Sequence, residues 1–242
     1  MENNNEAQEE QKVSSPKISI PVAIIVAGFL IMVGVLLTKN GGEKVVVNKT
    51  LSEQVGVSKE KLAECVQSID ATALGTKIQA SVESAMKAVP ADQRGTPYSI
   101  IIGSNGVKTE IRGADSVENV KKLIDEVLAG KVTTKYEGEV AITEEGDHLL
   151  GNPDAQVKII EYSDFECPYC KIFHATLNQV VAESNGTVSW VYRHWPIHQG
   201  SMAKLVAAEC VAKIKGNDAF WKYTELLFGL LETAQAPVTD QL

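Results

Sequence analysis

Cys167-Pro168-Tyr169-Cys170 holds the side chains in this sequence whose spacing is best suited to chemistry, because two thiols that close can cycle between dithiol and disulfide. Just before them Val157, Ile159 and Ile160 read as a short buried strand, and from Pro168 onward Ile172, Phe173, Leu177, Val180 and Val181 recur at helical spacing. The pair therefore sits where a strand hands over to a helix. There the free N–H groups and the positive dipole end of the first turn favour a thiolate over a thiol. Cys167 is the candidate nucleophile, Pro168 suits the first helical turn, and Cys170 lies one turn deeper, able to close a short disulfide. Two other chemistries compete: an inert structural disulfide, and half a zinc site with His174 as a third ligand. No second CxxC or nearby Cys/His pair completes such a site. Redox chemistry is the reading adopted, with no metal and no other cofactor expected. His148, His194 and His198 are scattered and read as solvent-facing or structural. Asp164 and Glu166 read as surface charges, with Glu166 opposing the thiolate slightly.

Glu161-Tyr162-Ser163-Asp164-Phe165-Glu166-Cys167-Pro168-Tyr169-Cys170 resembles the active-site stretch of the bacterial DsbA-like thiol:disulfide oxidoreductases, and so does the lead-in Asp147-His148 with Gly151-Asn152-Pro153-Asp154-Ala155. The resemblance implies an α/β fold, a thioredoxin-like sheet with an inserted helical subdomain. It makes Cys167 and Cys170 catalytic and places Glu161, six residues before Cys167, beneath the cysteines as a proton relay. Arg94-Gly95-Thr96-Pro97 ahead of a strand, a hairpin and a helix resembles the C-terminal third of the same family, where the proline is cis and faces the disulfide. Thr96 and Pro97 thus join the catalytic set, and Thr96, Pro168 and Tyr169 are expected to meet the substrate. Cys65 and Cys210 fall in segments that resemble the helical insertion, where some members carry a second disulfide. The resemblance implies that these two pair; two separate buried thiols are the alternative.

The order of the segments departs from the family. Residues 51–88 resemble the second half of the insertion and Trp195-Pro196-Ile197 through Phe228 its first half, yet here the C-terminal-like third precedes the CPYC helix. A circular permutation explains this, with new termini inside the insertion and the old ones joined through residues 131–155. About 25 residues of connection, at up to ~3.3 Å each, can cross such a domain. A swapped dimer with two composite sites is the rival, and a tandem array that has lost its outer halves is a third account.

With 242 residues and 44% hydrophobic content, the chain is expected to bury one substantial core. A net charge of −8 argues against nucleic acid as a partner. Residues 1–17 are polar and read as a disordered cytoplasmic tail. From Ile18 to Leu37 twenty residues carry no charge, enough to cross a bilayer, so 18–38 is read as a transmembrane anchor and 39–50 as a linker. A cleaved signal peptide is the rival. Residues 51–242 form the catalytic domain, in three parts: 51–130 like the C-terminal half, 131–155 connecting, and 156–242 like the N-terminal half. Within it, 51–89 read as helices with Ser58 as an N-cap. Tyr98 to Arg112 reads as a hairpin turning at Asn105-Gly106, and Ser116 to Ala129 as a helix capped by an Asp115/Glu118 box. Lys12 and Lys17 before the anchor against Lys39, Lys44 and Lys49 after it give a slight bias against translocation of the C-terminus. Cysteine content and the resemblance argue for an extracytoplasmic domain on a single-pass membrane protein. The function expected is disulfide formation in exported proteins with free thiols, assisted by a membrane redox partner. A reductase or isomerase, or an anchored binding module without catalysis, is the alternative.

Overall fold

The computed structural model describes residues 49–231. The tail at 1–17 and the anchor at 18–38 lie outside them; among the described residues no helix is long and apolar enough to cross a membrane. The centre is a five-stranded mixed sheet in the order β2-β1-β4-β5-β3, with β1 Tyr98–Gly103, β2 Lys108–Arg112, β3 His148–Gly151, β4 Val157–Ser163 and β5 Val188–His194. Around it lie α1 Leu51–Gln54, α2 Lys59–Ser68, α3 Ala71–Ala85, α4 Val117–Leu128, α5 Pro168–Glu183, α6 Ser201–Lys215 and α7 Asn217–Gly229. The result is a mixed α/β, thioredoxin-like architecture.

The side-chain period of two decides which residues face which layer. Ile101, Ile159 and Trp190 share one face of the sheet and pack with Val120 and Ile124 of α4, Phe173 and Leu177 of α5, and Phe220 of α7. Ile100, Ile160 and Val191 point the other way, onto Val82, Ala85 and Met86 at the end of α3. Both faces are covered, so β1 and β5 are buried at every position, as strands between two helical layers must be. β4 and β5 run parallel and are joined through α5, whereas β1 pairs antiparallel with β4, setting Tyr98 opposite Tyr162 and Ile100 opposite Ile160. This register places the N-terminal end of β1 beside the C-terminal end of β4. The residues just before Tyr98 and just after Ser163 thereby share one edge of the molecule.

Two local expectations are corrected. The connection 131–155 contains a strand, β3, which pairs Leu150 with Trp190 of β5; four residues carry too little periodicity to show alone, and it is the neighbouring strand that makes them one. Helix α4 is capped by Ser116, whose hydroxyl accepts from the Asn119 N–H, while Asp115 accepts from the Ser116 N–H at 2.8 Å and the Asn119 side chain at 2.6 Å. The cap therefore sits one residue later than the Asp115/Glu118 box. Ser58 caps α2 by accepting from Lys61 N–H.

Cys65 of α2 and Cys210 of α6 form a disulfide with their Cα atoms 5.7 Å apart, across 145 residues of sequence. Closing so long a loop removes much of the freedom of the unfolded chain, a stabilisation of roughly 2–5 kcal/mol. It fastens the first helices of the domain to the helical layer that follows β5.

Candidate active site

Strand β4 ends at Ser163 and the chain turns through Asp164, Phe165 and Glu166 into α5, whose N-cap is Cys167 and whose first residue is Pro168. At that cap the backbone N–H groups of Tyr169 and Cys170 help to lower the Cys167 thiol, donors left free because a first turn has no carbonyl partners for them. Both cysteines are thiols here, and both are buried.

Their environments differ. The hydrogen bond from the Cys170 thiol, with help from Thr96 and the two backbone N–H groups, outweighs burial and brings the Cys167 thiol down to about 6. Cys170 goes the other way: burial first, then the bond to Cys167 and the nearby Glu161 carboxyl, push it well above the usual thiol value. The pair is thus polarised into one thiolate and one proton-holding thiol.

Thr96 lies on the far side of the sulfur. Its peptide bond to Pro97 is cis, and its carbonyl oxygen accepts from the Cys167 thiol at 3.3 Å. Its hydroxyl is buried with no other partner, which leaves it free to donate to the sulfur once the thiol has ionised. A single chain brings Thr96, Pro97, Cys167 and Cys170 together across 71 positions of sequence.

Glu161, on β4 beneath the pair, is completely buried, and neither carboxylate oxygen has a partner with hydrogen-bond geometry. Burial raises it to about 8, with the Ser163 hydroxyl and the Trp190 indole close enough to temper the rise and the Cys167 charge adding to it. The carboxyl group therefore carries its proton at neutral pH. His174, one turn below Cys170, is turned into the aromatic cluster, 4.9 Å from Trp190 and 5.0 Å from Phe228 between ring centroids. Burial lowers it to about 4, so it stays neutral. Tyr169 is 46% exposed, the most open side chain of the CPYC stretch.

Asp164 is not the surface charge the sequence suggested. It is 2% exposed and accepts from the N–H groups of Glu166 (2.7 Å), Ile197 (2.7 Å) and His198 (2.9 Å), from the His198 ring, and from the Ser201 hydroxyl. Burial alone would raise it, but these bonds hold it below the usual carboxylate value. Its own N–H donates to the Cys170 sulfur at 3.4 Å, so it fastens the 197–201 loop to the active-site turn. An acid directly after the apolar run of β4 was the signal available in the sequence. Glu166 is paired with Lys204 at 3.0 Å, which offsets the repulsion expected from it. His148 and His194, read as scattered, are buried and meet at one carboxylate, Glu209.

Residues 143–240 match a family model described as Thioredoxin, covering β3, β4, the CPYC turn and the helices after β5. Among curated relatives, the Na(+)/H(+) antiporter NhaA 1 of Mycolicibacterium gilvum is 33% identical over 87 residues, 36% of this chain and 14% of that protein. The Na(+)/H(+) antiporter NhaA 3 of Salinispora tropica is 32% identical over 88 residues, 36% of this chain and 13% of that protein. The chain thus spans about one seventh of the length of the curated relatives it matches. Among solved structures, oxidised BdbD from Bacillus subtilis is 27% identical, covers 41% of this chain and 54% of its own, and superposes with a TM-score of 0.32.

Proposed function

We propose that this chain is a membrane-anchored, extracytoplasmic thiol:disulfide oxidoreductase that forms disulfides in exported proteins. The observation that carries the reading is the geometry of the pair: Cys167 caps α5 with its sulfur 3.3 Å from the Thr96 carbonyl oxygen while Cys170 is fully buried in the first turn, an arrangement that displaces the two thiols in opposite directions. In the oxidising direction a substrate thiolate attacks the Cys167 sulfur of the Cys167–Cys170 disulfide. The Cys170 sulfur leaves with the electron pair and takes a proton, for which the buried, protonated Glu161 carboxyl is the candidate source. A second substrate thiolate then attacks the substrate sulfur of the mixed disulfide, releasing Cys167 as a thiolate. Atoms and electrons balance: two substrate thiols become one disulfide while the protein disulfide becomes a dithiol.

The stabilised Cys167 thiolate favours the reduced form and so makes the disulfide the better oxidant, by about 30 mV for each unit of thiol pKa lost. Lowering from 9.0 to about 6 therefore supports an oxidase, and a membrane redox partner would restore the disulfide. Thr96, beside the sulfur, is the backbone on which a substrate strand would align, with Pro97, Pro168 and Tyr169 around it. The segment order is read as a circular permutation closed through 131–155, because one chain suffices to bring Thr96 to Cys167.

Equilibrating the full chain with glutathione buffers tests the direction: the expected midpoint lies at roughly −120 to −200 mV, between strong oxidants and isomerases. A midpoint below about −250 mV would assign a reductase, and a pair that never equilibrates would remove catalysis altogether. Anchoring rests on the uncharged run 18–37. Protease added outside intact cells or spheroplasts should digest the domain, and protection until lysis would reverse the orientation.

A further inference from the structure

His148 at the start of β3, His194 at the end of β5 and Glu209 in the middle of α6 come from three separate elements. Both imidazoles present the same atom to the same oxygen: His148 Nε2 and His194 Nε2 each lie 2.8 Å from Glu209 Oε1. We propose that these three side chains form a binding site for a divalent transition-metal ion of the zinc type, separate from the cysteine pair. Two histidine nitrogens and one carboxylate oxygen are a donor set that suits Zn2+, and they leave a fourth position for water.

Geometry supports it. The three donor atoms lie within 4.8 Å of one another. A tetrahedral ion with bonds of ~2.1 Å needs donors about 3.4 Å apart, so the carboxylate must withdraw by roughly 0.6 Å from its 2.8 Å contacts. It has room to do so. A cavity of about 250 Å3, lined by Glu209, His194, Asp147, Glu144, Arg193 and Lys77, opens against two of the three side chains and gives an ion an entry path, with space for water at its fourth position. The carboxylates of Asp147 and Glu144 are already engaged by Arg193 at 2.8–3.0 Å, which leaves Glu209 as the anionic ligand.

The rings are also held. His148 stacks on Phe220 with centroids 3.4 Å apart and planes 9° from parallel, and His194 lies edge-on to Tyr192 at 5.2 Å. Packing that fixes ring orientation before the ion arrives is what a metal site requires. The ion would join β3, β5 and α6 one residue from the Cys210 end of the disulfide.

The test uses the full chain in detergent carrying Cys167→Ser and Cys170→Ser, so that no thiolate competes. Titration with Zn2+ against a chromogenic chelator should give one ion per chain, and Zn2+ should raise Tm. Co2+ should give the visible bands of a four-coordinate nitrogen and oxygen site without sulfur charge-transfer absorption. Glu209→Gln and His194→Gln should each weaken binding by at least about tenfold and abolish the Tm gain. A parent chain that binds neither ion above buffer levels overturns the proposal, whether or not the variants fold. Binding that survives both substitutions overturns it equally.

Discussion

Replacing Cys170 with alanine should stop turnover and make substrates accumulate as mixed disulfides through Cys167, whereas replacing Cys167 should abolish trapping altogether. The thiolate populations explain why. With Cys167 near 6 and Cys170 above 9.0, half of the first and at most about one part in a thousand of the second is thiolate at pH 6, a ratio of roughly 500. Nucleophilicity falls as pKa falls, with a Brønsted slope of about 0.4–0.5, so three units remove roughly 20-fold of that advantage. About 20-fold should remain in the rate of alkylation at pH 6, and Cys170's depth beneath the helix cap widens it. Above pH 7 Cys167 is almost fully ionised and gains no more, whereas the Cys170 thiolate fraction still rises about tenfold per pH unit, so the contrast should shrink by pH 9. Alkylation of the reduced chain followed by mass spectrometry at both pH values checks this. Equal labelling at pH 6 would mean that the helix cap does not ionise Cys167, and the oxidase mechanism would fail with it.

The chemistry was legible where local rules suffice. Strand β4 followed by Pro168 and an apolar stripe at helical spacing locates Cys167 at a helix start with no knowledge of the rest of the chain. What tertiary packing decides was not legible. Asp164 and Glu166 have like charges two positions apart, yet one is buried under five hydrogen bonds and the other is half-open and paired with Lys204. Only the return of residues 197–201 onto the turn separates them. His148 and His194 lie 46 positions apart, and nothing in that spacing brings them to Glu209; the pairing of β3 with β5 does. The Thr96 contact was accessible because the flanking segments resemble a known family, not because Thr-Pro carries a signal of its own. β3 hid for a simpler reason. A four-residue strand at a sheet edge takes its identity from its partner, and His148 to Gly151 has no alternation to announce it.

The second large effect is expected at Glu161, and it has two readouts that move in opposite directions. The residue is fully buried and sits at about 8 instead of the ordinary 4.5. Between those values the folded chain keeps a proton that the unfolded chain has lost. The unfolded state therefore binds fewer protons, and stability falls as pH rises, by about 1.4 kcal/mol per pH unit, until the folded group itself ionises near pH 8. Glu161→Gln keeps the shape and removes the titration. Its Tm should exceed the parent's increasingly from pH 5 to pH 8 and by a constant margin above that, and the two should converge below pH 4.5. Catalysis should suffer meanwhile, because Cys170, held well above the usual thiol value, is a poor leaving group unless a neighbour supplies its proton. A positioned acid typically contributes about 10²- to 10⁴-fold; with solvent protons able to substitute in part, roughly 10²-fold slower attack on the disulfide near neutral pH is expected. The parent's rate should fall above pH 8 as the carboxyl ionises, while the variant's rate, already low, should show no such step. A purely structural glutamate would lower stability when replaced and leave the pH profile of the rate unchanged. Thermal unfolding and stopped-flow reduction of parent and variant across pH 5 to 9 distinguish the two, and coincident pH profiles for both quantities would remove Glu161 from the mechanism.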